Sequence, residues 1–166
     1  MSSHRLFLPL FFLTSTAFAV PSWAMQLDET LGEDSSVLAV ETERAAITDY
    51  LRAKLGAPYH FGAAGGKKGF DCSGLVLRAY AAAGVQVPRI STQQFQASTP
   101  VPPEALREGD LLFYRMRDGK SEPLHVVVYV GNGRAIHASI KHQQVREIDI
   151  TRKVWTSRLV AARALL

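Results

Sequence analysis

Three regimes of apolar patterning follow one another along the chain. Residues Leu6 to Ala19 are apolar almost without a break, interrupted only by short hydroxyl side chains. Further on, apolar positions recur with helical spacing. Ile47, Tyr50, Leu51 and Leu55 share one face of a helix predicted from Thr42 to Leu55, with Gly56 as its stop. Cys72, Leu75, Val76, Ala79 and Ala83 repeat in the same way between Asp71, a good N-cap, and Gly84. The polar stretch Ser91 to Gln96 is assigned no element. Past it the pattern turns to strands at Asp110–Tyr114, His125–Val130 and Arg134–Ser139, the last two joined by Gly131-Asn132-Gly133. Segments 145–150 and 159–166 are expected to add pairing. Helices first and an antiparallel sheet after is an α+β order.

The first regime does not read as part of the fold. His4 and Arg5 precede the apolar run, and small-x-small sites follow at Ala17-Phe18-Ala19 and Ser22-Trp23-Ala24. This is the layout of a secretory signal peptide over residues 1–24. A run of about fourteen residues is short of the ~20 that a membrane span needs, and Pro21 counts against an uncleaved anchor. No cysteine lies near the leader to carry a lipid. The mature chain is therefore expected to be exported, periplasmic or secreted, soluble and without a membrane span. Residues 25–41 hold Asp28, Glu29, Glu33, Asp34 and Glu41 and no Lys or Arg, and are expected to form a weakly structured acidic linker. The functional body is then 42–166.

Composition narrows the classes. With 166 residues, 47% hydrophobic and 20% charged, the chain is sized for one globular domain behind a leader. A disordered, collagen-like or polytopic membrane protein is excluded. The net charge of +4 is no polycation, and no nucleic-acid partner is expected. Removing Arg5 and the five linker acids from 19 basic and 15 acidic side chains leaves the body at about +8. That suits a polyanionic or wall-like partner, and equally a solvated surface. Gly66-Lys67 is no phosphate loop, because Phe61 stands where the first glycine is needed and no Ser or Thr follows the lysine. The single cysteine, Cys72, allows no internal disulfide and no thiolate zinc cluster. In an exported chain a lone thiol is either buried and inert or kept for its reactivity.

Cys72 opens its helix, where unpaired amides and the helix dipole favour a thiolate. Asp71 pulls the other way, and an imidazolium partner would restore the balance. The bland alternative is a small core residue on the Leu75/Val76 face. His125 and His137 favour the chemical reading. Each lies in an apolar strand segment, and together with Cys72 they supply the nucleophile, base and orienting group of a cysteine hydrolase. A metal site is the competing use of two histidines, but no HExxH motif or carboxylate at ligand spacing accompanies them. His60 and His142 show no comparable context.

These residues lie in strings that resemble the NlpC/P60 cysteine peptidases. The strings are Gly56-Ala57-Pro58-Tyr59, Gly69-Phe70-Asp71-Cys72-Ser73-Gly74-Leu75-Val76, Pro88-Arg89-Ile90-Ser91-Thr92-Gln93-Gln94, residues 106–114, His125-Val126, residues 129–133 and Ile136-His137-Ala138-Ser139. They run in family order from about residue 44 to the C-terminus. The resemblance implies a compact papain-like α+β fold with N-terminal helices on an antiparallel sheet. It implies hydrolysis of peptide bonds in peptidoglycan stem peptides, the preferred bond joining γ-D-glutamate to meso-diaminopimelate or L-lysine, with no metal or cofactor. By the same resemblance Cys72 is the nucleophile, His125 the general base and His137 the residue orienting it. Tyr59 matches a tyrosine beside the oxyanion site. Asp71, Ser73 and Ser91 match positions near the substrate stem, where Asp71 would meet a free amine. A monomer acting on muropeptides or stem peptides is expected.

Two positions depart from the family pattern. Val127 replaces a glycine two residues after the first histidine, and Phe61-Gly62-Ala63 replaces an aromatic-Gly-Gly. Val127 is expected to share a face with His125, and so either to narrow the cleft or to alter specificity. Two rivals remain open: a non-catalytic wall-binding module, favoured if Val127 blocks the cleft, and a thiol acyltransferase. Two physical expectations follow from the peptidase reading. The Cys72 thiol should ionise well below ~8.5. The hairpin should also close with Gly131-Asn132-Gly133 as a three-residue loop, pairing Val130 with Arg134 and Val127 with His137. A two-residue Asn-Gly turn would pair Val128 with His137 and send the histidines to opposite faces.

Overall fold

The computed structural model describes the backbone of residues 22–115 and 124–166, with side chains from Asp34 onward. The expected leader therefore lies, through residue 21, outside the described residues. Helix α1 runs Ser22–Arg52, far longer than the Thr42–Leu55 expected, and its backbone takes in the segment expected to be a weakly structured linker. Segment 25–41 holds no proline, and helix formers there such as Leu38, Ala39 and Glu41 sustain the backbone without burial. Val37 and Leu38 are 58% and 61% exposed. Ile47 and Leu51 are the first α1 side chains to reach full burial in the core. The helix ends at Arg52. Gly56, with φ of +82°, turns its amide to the Val145 carbonyl at 2.9 Å.

Helix α2 spans Cys72–Ala82, as the periodicity predicts, with Asp71 as N-cap. Helix α3, Ser91–Ala97, forms where no element is expected. Its inward positions are the polar Ser91 and Gln94, so the hydrophobic period is silent there. Strands β1 (Thr99–Pro100), β2 (Leu111–Tyr114), β3 (His125–Tyr129), β4 (Arg134–Ser139) and β5 (Gln144–Asp149) follow, then a short helix α4 (Lys153–Thr156) and strand β6 (Leu159–Ala164). All pair antiparallel in the order β1-β6-β2-β3-β4-β5. This is an α+β architecture, as expected.

The sheet separates two cores. Val126, Val128, Ile136 and Ala138 join Leu75, Val76 and Ala79 of α2 on one face. Leu112, Tyr114, Val127, Ala135 and Ile148 pack on the other, against Trp155 of α4. The β3–β4 hairpin takes the three-residue loop. Val128 pairs with Ile136 and Tyr129 with Ala135, and the Val130 amide donates to Arg134 at 2.9 Å. Gly131, Asn132 and Gly133 all have positive φ. The alternation of β4 decides against the two-residue turn, since a slip by one would carry Ile136 and Ala138 out of the helix-side core.

Arg44 of α1 reaches the turn before β2. Its Nη1 donates to Asp110 Oδ1 at 2.8 Å and to the Glu108 carbonyl at 2.7 Å. Both side chains are nearly fully buried. Asp110 Oδ2 accepts from the Arg107 amide, and Tyr80 of α2 donates to the Gly109 carbonyl. Removing one member leaves the other charge buried without its partner. Arg44→Ala should therefore lower unfolding stability by about 3–5 kcal/mol, read as a fall in denaturant midpoint, and replacing both members by apolar residues should cost less.

Candidate active site

The nucleophile candidate is placed by the carboxylate just before it. Asp71 Oδ1 accepts from the Gly74 amide at 2.6 Å, capping α2, and Oδ2 accepts from the Gly62 amide at 2.9 Å. Arg89 donates to both oxygens, Nη2 to Oδ2 at 2.7 Å and Nη1 to Oδ1 at 3.1 Å, and also to Ser73 Oγ at 3.0 Å. The Asp71 amide donates to the Ala63 carbonyl, which lies so near Gly74 that a Cβ there would overlap it. Gln94 of α3 donates to the carbonyls of Ser73 and Pro88. Asp71 and Ser73 are thus committed to holding the first turn of α2. Asp71, expected near a substrate amine, here holds the Gly62 and Gly74 amides and the Arg89 guanidinium. Ser91 is buried at the start of α3. Arg89 and Gln94 were visible in the sequence only as letters of a motif.

The two histidines meet. His125 Nε2 lies 2.7 Å from His137 Nδ1, with the rings edge to face. They share the face of Val127 and Ala135, away from the surface on which α2 packs. The ladder between β3 and β4 stops at Val128 and Ile136, so the strands part toward His125 and His137. Tyr129 donates its amide to Asp110, on the β2 side, so by alternation the Val126 amide points to the β4 side where the ladder has ended. There it lies close enough to the Cys72 sulfur to favour its ionised form. The thiol thus lies beside Val126, the residue that follows His125.

Burial sets the protonation states. Desolvation pushes the Cys72 thiol upward, Asp71 adds to this, and the amides of Val126, Ser73 and Cys72 only partly offset it. The expected depression below the free-thiol value is therefore not what the surroundings produce: loss of water outweighs the helix N-terminus. Burial pushes His125 down to about 4, and burial with His125, Arg146 and His142 pushes His137 down to about 3. At neutral pH the resting trio is a thiol and two neutral imidazoles. Tyr59 is also raised, by burial and then by Cys72 and Asp71, which puts its hydroxyl in their electrostatic reach. Its backbone is held by the Gln143 carbonyl at 2.9 Å.

Val127 is only 1% exposed and packs in the second core, so it lines no part of a cleft as expected of it. Phe61 is 81% exposed beside Gly62. Trp155 braces the His137 ring edge-on at 5.4 Å, and Arg146 is His137's cross-strand partner. No pattern in the sequence singled out either. Among the described residues, no group of three His, Cys, Asp or Glu side chains is placed to hold a metal ion, and no helix is long and apolar enough to cross a membrane.

Comparison with known proteins gives a consistent result. A family model described as the NlpC/P60 family matches residues 56–164. The chain is 30% identical over 138 residues to the gamma-D-glutamyl-L-lysine dipeptidyl-peptidase of Bacillus subtilis (strain 168), covering 81% of this chain and 46% of that protein. It is 30% identical over 136 residues to the murein DD-endopeptidase MepH of Escherichia coli (strain K12), covering 80% and 50%. The solved structure of the peptidoglycan hydrolase RipB from Mycobacterium tuberculosis superposes with a TM-score of 0.63 at 31% identity, covering 76% of this chain and 66% of that one. The chain spans about half the length of the curated relatives it matches.

Two outcomes test the electrostatics. The unfolded chain protonates His125 and His137 near ~6.5, and the folded protein only near 4 and 3. Between those values the unfolded state binds more protons, so their contribution to stability is complete above ~6.5 and is lost as pH falls toward 4. The denaturation midpoint should drop from pH 7 to pH 5, and the drop should shrink in His137→Asn. Alkylation of Cys72 by iodoacetamide should rise with pH through an apparent pKa above ~8.5. An inflection well below that value would instead show a preformed thiolate.

Proposed function

The chain belongs to the NlpC/P60 family, and from that premise we propose that it is an exported cysteine peptidase that hydrolyses stem peptides of peptidoglycan at the γ-D-glutamyl-diaminopimelate bond. The observation that supports this reading is the contact between His125 and His137 on strands that pack against the helix opened by Cys72. The names of the curated relatives support a cell-wall peptide as substrate. The dipeptidyl-peptidase is named for a γ-D-glutamyl bond, which supports the scissile bond proposed. Export is supported by the leader pattern of residues 1–24.

The chemistry follows from neutral partners. His137 engages His125 Nε2, so Nδ1 is the nitrogen left to take the Cys72 proton as the sulfur attacks the amide carbon. Proton transfer thus accompanies attack, as general-base catalysis. The negative oxygen of the tetrahedral intermediate is met by backbone amides at the start of α2, with Tyr59 beside them. His125 then delivers its proton to the leaving amine. Water, deprotonated by the same Nδ1, hydrolyses the thioester and restores the thiol. The burial of Val127 supports a working peptidase over a blocked, wall-binding relic.

Incubation with defined muropeptides and mass analysis of the products tests this reading directly. Cys72→Ala should lose activity by about four orders of magnitude or more with its fold intact. His137→Ala should cost less than His125→Ala, because it orients the base without touching substrate. Full activity in Cys72→Ala would end the reading.

A further inference from the structure

Beside His125 and His137 lies a cavity of about 570 Å³ that the mechanism leaves unused. The two histidines form one wall. Ile140, Ile148, Val154 and Trp155 supply apolar surface, and Lys141, Arg146, Arg152 and Arg158 supply cations. Among the described residues, no acidic side chain lines it. Two buried donor-capable atoms at this site have no hydrogen-bond partner: His137 Nε2, in a residue 4% exposed, and Arg146 Nε. Arg146 stands directly opposite His137 across β4 and β5, so both project from the same face.

Tautomers connect this cavity to the thiol. Each neutral imidazole carries one N–H. For His125 Nδ1 to accept the Cys72 proton, its hydrogen must sit on Nε2 and be given to His137 Nδ1. His137 must then carry its own hydrogen on Nε2, a buried atom without a partner in a residue that lines the cavity. The reverse arrangement has His137 Nδ1–H donating to His125 Nε2, which places a hydrogen on His125 Nδ1 and disables it as a base. Cations around the cavity favour that reverse arrangement, since they attract the lone pair that His137 Nε2 would then present. A negative acceptor inside the cavity inverts the preference.

We propose that this cavity binds an organic carboxylate with a short apolar body, whose oxygen accepts the His137 Nε2–H and thereby holds the histidine pair in the tautomer that lets His125 act as base. The apolar walls favour an aliphatic body over a bare inorganic anion, and the cations together with two partnerless donors favour a carboxylate over a neutral ligand. The inference rests on the histidine pair serving Cys72, as proposed above. The carboxylate is supplied either by a stem peptide or by a free small acid.

The test uses the full chain with 15N-labelled histidine, titrated with butyrate, butyramide or inorganic phosphate. Butyrate should shift the His137 and His125 ring nitrogens saturably, moving the Nε2 of His137 toward its protonated position and Nδ1 of His125 toward its unprotonated one. Butyramide and phosphate should not reproduce this. Alkylation of Cys72 at neutral pH should quicken several-fold with butyrate only. Arg146→Gln should weaken butyrate binding about tenfold or more, and Arg152→Gln, at an exposed position, should weaken it without threatening the fold. Stem peptides with a free or an amidated terminal carboxylate locate the source. Displacement of butyrate by the acid alone assigns the site to substrate, and no displacement assigns it to a free acid. Absence of a saturable shift, an equal response to butyramide or phosphate, or binding without change in tautomer or alkylation rate overturns the proposal. None of these readouts needs turnover, so a chain inactive on muropeptides that still passes them sinks the peptidase reading and leaves the cavity's ligand standing.

Discussion

The carboxylate of Asp71 ties together the loop at Gly62, the first turn of α2 and the segment bearing Arg89. It caps the helix, anchors the loop and neutralises a half-buried guanidinium at once. A buried carboxylate with this many donors is stable only while all of them are present, because losing one leaves charge or dipole desolvated. The position of Cys72 depends on that mutual satisfaction. A sulfur displaced from the start of α2 would leave the Val126 amide and with it the opening to His125. The residue next to the nucleophile therefore acts through geometry, and its negative charge is a cost that the site bears, since it raises the thiol.

Desolvation governs the rest of the site. The same dry surroundings that hold two imidazoles neutral also hold the sulfur protonated. A thiol and a neutral base are the expected resting pair where burial disfavours charge on both partners. The parted ends of β3 and β4 reconcile this dryness with access. An unbroken ladder would have consumed the Val126 amide and sealed the two faces of the sheet from each other.

Much of this was legible in the sequence, and the failures have physical causes. His125 and His137 stood out because each sets a titratable ring in an apolar strand segment, and Cys72 because it is the chain's single cysteine and opens a helix. The hairpin register was legible because only one loop length puts both histidines on a common face and Ile136 and Ala138 in the helix-side core. Helix α1 was cut short because solvent-exposed helix carries no apolar period, and α3 was missed because Ser91 and Gln94 occupy its inward positions. The sign of the thiol's shift was misread because a helix N-terminus shows in the sequence and burial does not. The anchoring part of Asp71 was not legible because its partner Arg89 lies eighteen residues away in a loop. Trp155 and Arg146 act through a sheet partner and a ring contact, neither of which has a local signature.

Gly74 touches neither substrate nor catalytic group, yet its missing side chain is what admits the Ala63 carbonyl to the foot of α2. Any methyl there would push the loop outward, and the loop carries the bond to the Asp71 amide. Among variants selected for function, this glycine should be as invariant as the cysteine two residues before it, and for an unrelated reason. The string Asp71-Cys72-Ser73-Gly74 thus mixes one residue retained for reactivity with others retained for anchorage and clearance. Ranking its members by invariance alone would credit a void with the standing of a nucleophile.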